Sequence, residues 1–416
     1  MSPSPFATTQ RRRGLALTLA LLLLLVVPAG GALALSDAQQ LVVEAWRLVN
    51  QSYVDPQRFE QVNWKRLRQK ALEQPIDSSA AAYGAIETML APLGDPYTRL
   101  LRPADYSDLQ SNTQGTVSGV GLQLGLRSPD QQVVVIAPLD GSPAAEAGIT
   151  SGMTVLAVNG RPSDELGLEA TASDLRGPSG SEVLVKLEDP SGRVLDLSLE
   201  RRQVDLRPVR SKRLRSGSHT LGYLRITQFA EPVPVQVHQA LDELNDKGIE
   251  ALILDLRNNS GGLVSAGLAV ADQLLAGAPI VETQARDGIG SPVVAGPAQV
   301  YGGPMLTLVN GGTASASEIL AGALQDDGRS ALLGSRTFGK GVIQSLIPLG
   351  DGSGLAVTVA RYLTPGGRDI QNQGITPDAT LNGAEPLNPG SEDDGWLEQA
   401  ERLLVQQLEQ DSGTLG

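Results

Sequence analysis

The residues whose types and spacing can do chemistry are a serine cluster near 315 and a lysine held between two glycines at 340. The cluster, Thr313-Ala-Ser315-Ala-Ser317-Glu318, follows the apolar run Met305-Leu-Thr-Leu-Val309 and the turn residues Asn310-Gly-Gly312. It precedes Ile319-Leu-Ala-Gly-Ala-Leu324, whose apolar residues recur at helical spacing. A short apolar run bounded by turn residues reads as a buried strand, and Ser or Thr ahead of an apolar periodic segment starts a helix. A hydroxyl at that junction meets free backbone N–H groups and the positive end of a helix dipole. Such a serine is either a helix cap or an activated nucleophile. Lys340, within Thr337-Phe-Gly-Lys340-Gly, is either a solvated loop charge or a base that backbone can approach closely.

Composition narrows the choice. The chain has no cysteine, which excludes thiol catalysis, and only two histidines. His219 follows a polar run, and His238 falls in a predicted helix far from any serine cluster, so a Ser-His-Asp triad is poorly supplied. Neither thiolates nor a histidine pair at ligand spacing supports a zinc site, and no metal or cofactor is expected. If Ser315 is a nucleophile, lysine is the natural base.

Gly312-Thr-Ala-Ser-Ala-Ser-Glu-Ile319, with Thr337-Phe-Gly-Lys-Gly341 and Gln344, resembles the carboxyl-terminal processing peptidases, Ser/Lys proteases that carry a PDZ domain. The resemblance covers nearly all of the chain after the leader. The stretches 116–126 and 352–362 look most like the chloroplast and cyanobacterial branch. It implies Ser315 as nucleophile, Lys340 as general base and Gln344 as the residue positioning that lysine. It also implies an oxyanion hole made by the N–H groups of Gly261 and Ala316. Read without the family, Asp255-Leu-Arg-Asn-Asn-Ser-Gly261-Gly262 is either a helix-entry turn or a backbone N–H aimed at an anion.

At 416 residues the chain is long enough for two or three domains, with a formal charge of −13. An acidic chain without a basic patch or aromatic platform is not expected to bind nucleic acid. Arg11-Arg-Arg13, the apolar stretch 15–27 and the small residues of Ala32-Leu-Ala34 read as an export signal. The mature protein is therefore expected in a periplasm or, by the resemblance, a thylakoid lumen.

Amphipathic helices are predicted over 37–49, 64–72 and 79–90, ended by Gly94-Asp-Pro96-Tyr97-Thr98-Arg99; on pattern alone this region is a packing module. From 115 the period turns strand-like, with strands predicted over 120–126, 133–137, 153–158, 183–188 and 194–199 and short helices over 143–147 and 168–175. Ser142-Pro-Ala-Ala-Glu-Ala-Gly-Ile149 with 152–160 resembles a PDZ domain, and Gly119-Val120-Gly121-Leu122 would be its carboxylate-binding loop. A glycine turn offering consecutive N–H groups makes an anion nest, and a strand edge beside it takes a peptide by β-augmentation. Arg176, ending the second PDZ helix, either bridges that domain to the core, meets the incoming chain, or is a solvated helix-terminal arginine. After 202 strands and helices alternate, which argues a layered α/β core, crotonase-like by resemblance. Trp396, Leu397, Ala400, Leu403, Leu404 and Leu408 mark a final helix, either a strut or an oligomer contact.

The expected fold is a multidomain α+β chain. It comprises a signal peptide over 1–34, an N-terminal helical domain over 35–108 and a PDZ domain over 109–203. A crotonase-like protease core over 204–385 and an acidic linker with an amphipathic helix over 386–416 complete it. The expected function is a serine endopeptidase removing C-terminal extensions from exported or membrane-protein precursors, and the resemblance to the photosynthetic branch makes the precursor of a photosystem II reaction-centre subunit the best guess for the partner. A non-catalytic PDZ-bearing adaptor and a crotonase-like acyl-CoA enzyme are the rivals. The sequence does not give the oligomeric state. The mechanism sets a condition: a free lysine, of pKa about 10.4, is neutral only about once in 2,500 at pH 7. A working base near pKa ~7–8 costs about 4 kcal/mol of desolvation. Lys340 must then be buried and lack a carboxylate partner.

Overall fold

The computed structural model describes residues 35–127, 132–139, 142–150, 152–386 and 389–414, so the leader expected at 1–34 lies outside the described residues. One six-stranded sheet runs in the order Val209–Ser216, His219–Ile226, Ala251–Asp255, Met305–Val309, Ala331–Gly334, Ala379–Thr380. The first pair is antiparallel and every later pair parallel. Ala251–Asp255 and Met305–Val309 are buried at every residue, as strands of a parallel sheet covered on both faces must be. Helices Val233–Asp246, Val264–Leu274 and Ala316–Asp326 share one apolar core with the sheet.

The helix Gly395–Thr414 covers the opposite face, where Trp396, Leu397, Ala400 and Leu404 pack with Leu221, Ile253 and Leu308. The last helix is thus a strut. Its start is pinned by Arg257, which reaches both Asp255 and Asp394 at 2.6 Å with all three side chains out of solvent. An arginine so buried is tolerated only because two carboxylates meet it.

A second sheet pairs Gly354–Leu363 with Val342–Pro348 along one edge and, along the other, with Arg99–Leu101 near its start and Pro279–Ala285 near its end. The predicted helices appear as Asp37–Ser52, Trp64–Leu72 and Ser79–Leu90. Their core includes Leu349, Leu355 and Val357 of the hairpin, so this region is fused to the core sheet rather than standing beside it. The helix Pro103–Thr113 was not predicted: its sequence has no apolar stripe, and no residue of it is buried.

Strands Leu122–Arg127, Gln132–Pro138, Thr154–Val158, Glu182–Glu188 and Val194–Glu200 form a separate sheet around Val120, Val135, Val155, Val185 and Leu187. Leu122–Arg127 is its edge strand, and the helix Ser163–Leu175 packs across it. The chain enters and leaves this domain through Thr116–Gly119 and Arg202–Asp205, paired antiparallel as a neck.

Candidate active site

Ser315 caps the N-terminus of Ala316–Asp326, directly after the buried strand Met305–Val309 and its turn. Its backbone sits at φ 57°, ψ −119°, a region costly for a residue with a Cβ. A serine on such a strained strand-to-helix turn has its Oγ thrust up at the end of the sheet. Neighbouring glycines make room for it. A Cβ on Gly261 would lie 2.8 Å from Ser315 Cβ and from the Ala314 carbonyl, and one on Gly267 would lie 3.2 Å from Ala316 Cβ. The loop carrying Gly261 is stitched to the turn by Asn259, whose carbonyl accepts from Ala314 N–H and from Ser317 Oγ, each at 2.9 Å.

Two buried side chains hold Ser315 and Lys340 together. The Glu318 carboxylate accepts the N–H of Ser315 at 3.0 Å and the N–H of Lys340 at 2.9 Å, along with Gly339 N–H and Thr337 Oγ1. The Tyr362 hydroxyl points to the carbonyls of both residues, at 3.0 Å for Ser315 and 2.8 Å for Lys340. Neither Glu318 nor Tyr362 was singled out from the sequence. The signal for Glu318 was present: Ser315-x-x-Glu318 is the spacing at which a third-position glutamate reaches back to the cap N–H.

The Lys340 ammonium makes no hydrogen bond and no ion pair among the described residues; only its backbone N–H and carbonyl are bonded. Its Nζ lies 5.2 Å from the centre of the Tyr97 ring. Burial pushes its pKa down, with Arg99 adding to the effect and Asp95 and Glu318 opposing it. Lys340 is half-buried where the mechanism asked for a buried base, and its shift runs in the direction that mechanism requires. Gln344 follows a β-bulge between Ile343 and Gln344, a device that re-aims a side chain. Its Nε2 is buried without a hydrogen-bond partner among the described residues. Among the described residues, no cluster of histidine or carboxylate side chains is placed to hold a metal.

Of the two backbone donors predicted for an oxyanion, Ala316 N–H belongs to the first turn of the serine's helix. Gly261 N–H lies 3.0 Å from Asn259 Oδ1 in this state. A cleft of about 860 Å³ joins these groups to the PDZ domain: Ser315, Lys340 and Gln344 line one end, Gly119–Leu122 and Arg176 the other. Gly121, at φ 74°, is held against Ser142, where a Cβ would come within 2.2 Å. Arg176 is exposed and forms an isolated bridge with Gly119. It also faces the helix Pro103–Thr113, where burial raises the pKa of Asp108 and the Arg176 guanidinium counters that rise.

The Peptidase family S41 model matches residues 220–381, and a PDZ domain model matches 108–188. A carboxyl-terminal-processing protease of Picosynechococcus sp. is 43% identical over 397 residues, which are 94% of this chain and 95% of that protein. The chain belongs to peptidase family S41. It is a serine-type carboxyl-terminal-processing peptidase with a PDZ domain. The chloroplastic C-terminal processing peptidase of Tetradesmus obliquus is 40% identical over 84% of this S41 chain and 79% of its own. The solved photosystem II D1 C-terminal processing protease superposes with a TM-score of 0.62 at 38% identity, covering 89% of this chain and 98% of that one. The multidomain α+β fold, with its small N-terminal helical region and inserted PDZ domain, is the one these S41 relatives share.

Proposed function

We propose that Ser315 is the nucleophile and Lys340 its general base in an endopeptidase that trims C-terminal extensions from exported or membrane-protein precursors. The observation carrying this reading is the continuous cleft, which has the glycine loop Gly119–Leu122 at one end and Ser315 with Lys340 at the other. A substrate C-terminus binds at that loop and adds a strand along the free edge of Leu122–Arg127, so the upstream chain runs through the cleft toward Ser315. The neutral Lys340 amine takes the Ser315 proton as Oγ attacks the carbonyl carbon, and returns it to the leaving amine. Water activated by the same amine then hydrolyses the acyl-enzyme. Gln344, its Nε2 without a hydrogen-bond partner among the described residues, orients the lysine.

The developing oxyanion takes the N–H groups of Ala316 and Gly261. Asn259 Oδ1 holds Gly261 N–H beforehand, and a full negative charge is the stronger acceptor, so the donor turns to the oxyanion as charge develops. Arg176 couples the PDZ domain to this site. The domain limits are those of the sequence reading, 109–203 for PDZ and 204–385 for the core. The solved relative that processes photosystem II D1 supports a reaction-centre precursor as substrate, and the chloroplast relatives support a lumenal or periplasmic site of action.

The test is incubation of the chain from residue 35 with a peptide ending in apolar residues, followed by mass analysis of the products. Cleavage upstream of an intact C-terminal fragment, lost in Ser315→Ala while peptide binding persists, supports the reading. Cleavage undiminished in Ser315→Ala overturns the nucleophile.

A further inference from the structure

The turn at 94–99 is rigidly held beside the site. Asp95 accepts Tyr97 N–H at 2.9 Å and Thr98 Oγ1 at 2.7 Å. Thr98 Oγ1 in turn accepts Thr358 N–H at 3.0 Å, and Arg99–Leu101 is in register with Gly354–Ala356. The turn is therefore fixed to the same strand that carries Tyr362. From this mounting the Tyr97 ring faces Lys340 Nζ at 5.2 Å.

A ring face within about 6 Å attracts an ammonium and has no comparable hold on a neutral amine. The charged groups around Nζ are Asp95 and Arg99 from the turn and Glu318 from the serine's helix. Both carboxylates are already taken up by other donors: Asp95 by its own turn, Glu318 by Ser315, Thr337, Gly339 and Lys340 N–H. Arg99 repels the ammonium. Asp95 and Glu318 favour the ammonium through their charge without bonding to it, and the Tyr97 ring is the group placed over it.

We propose that Tyr97 is a positioning residue for Lys340: its ring holds the protonated amine in a resting place, unbonded to Ser315, and lets the neutral amine go to the serine. This rests on Lys340 being the base. Docking on the ring then ties the lysine's position to its protonation, so that the amine reaches Ser315 in the one form able to accept a proton.

The experiment uses the chain from residue 35 and follows acylation of Ser315 by a small phosphonylating reagent across pH. Tyr97→Leu removes the ring's hold on the ammonium. Its acid limb is expected to move to lower pH, with about a two- to five-fold larger neutral fraction on the acid side of the wild-type limb. Tyr97→Phe keeps the ring and leaves the limb where it is. Tyr97→Trp, with the stronger ring, moves it to higher pH, and serves if Tyr97→Leu does not fold. A ring that only packs would slow labelling in the variants without moving any limb, and that result overturns the proposal. The base assignment is read separately from Lys340→Met: loss of both labelling and limb keeps it. A limb that persists without Lys340 overturns the base itself, whatever Tyr97 does.

Discussion

Ser315 and Lys340 are fastened to each other through both ends of their peptide units. Glu318 accepts their two N–H groups, and the Tyr362 hydroxyl shares its one proton between their two carbonyls, at 3.0 Å and 2.8 Å. The first pair fixes where the helix starts; the second spans from the helix to the loop 335–341. Together they set how far the lysine stem must reach, without either side chain touching Oγ or Nζ.

Removing one strap is therefore expected to lower kcat and leave KM nearly unchanged. Tyr362→Phe loses the hydroxyl at nearly constant volume. A hydrogen bond of about 0.5–1.5 kcal/mol corresponds to a loss of about 2- to 13-fold in kcat. Steady-state kinetics on a C-terminal peptide substrate give the split. A rise in KM with kcat intact would show that Tyr362 serves the substrate groove and not the dyad.

The pH dependence follows from the lysine's surroundings. Burial and Arg99 lower the Lys340 pKa, so acylation should rise with pH through a limb below the ordinary lysine range. Arg99→Gln removes one of the two lowering influences. Its limb should move to higher pH and its rate at neutral pH should fall. Arg99 is exposed, so added salt should shrink the difference between the two proteins. A limb that stays in place at low salt would mean that Arg99 does not act on the lysine.

Much of this was legible before any coordinates. Strand and helix periodicity located Met305–Val309, Trp64–Leu72 and Ser79–Leu90 to the residue, because each is a uniform apolar run or stripe between turn residues. Pattern failed where packing does not write one. Pro103–Thr113 buries no residue, and Val209–Ser216 is an edge strand whose run Arg210–Arg213 is exposed. Tyr362 and Tyr97, which went unread, act across long separations, whereas the spacing that marks Glu318 was there to read. Tyr362 bonds carbonyls 47 and 22 positions away, and Tyr97 faces a lysine brought to it by sheet pairing. No spacing rule covers such contacts.

The buried arginine makes a stability prediction. Asp394→Ala strands Arg257 with one carboxylate where it had two, and unpairs the start of the last helix. Breaking a buried ion pair costs about 3–5 kcal/mol, read from the shift in the urea midpoint. The same group gives an acid sensitivity. Burial raises the Asp394 pKa, but the Arg257 bonds outweigh it and hold the group below its ordinary value. Its contribution is present above the ordinary carboxylate range and is lost as pH falls through the lowered value. Asp394→Ala should therefore flatten stability against pH on the acid side. An unchanged slope would assign the acid loss to other carboxylates.

The last prediction concerns the two ends of the cleft. No hydrogen bond joins Ser315 Oγ to Lys340 Nζ, which suits a site that peptide binding completes. The proposed coupling through Arg176 rests on its placement: its backbone bridges to Gly119 of the glycine loop, it lines the same cleft as Ser315 and Lys340, and its guanidinium faces Asp108 of the helix that leads into the PDZ domain. If about 1% of peptide-free molecules are aligned, a peptide must prefer the aligned state by about 10⁴ to bring that to 99%. A non-cleavable peptide ending in apolar residues should then accelerate acylation of Ser315 by a small reagent up to about 100-fold. Arg176→Ala should lose most of that acceleration while binding the peptide with the same affinity. Equal labelling with and without peptide would make the PDZ domain a tether alone, and a loss of affinity in Arg176→Ala would place that arginine in the peptide site and not between the two.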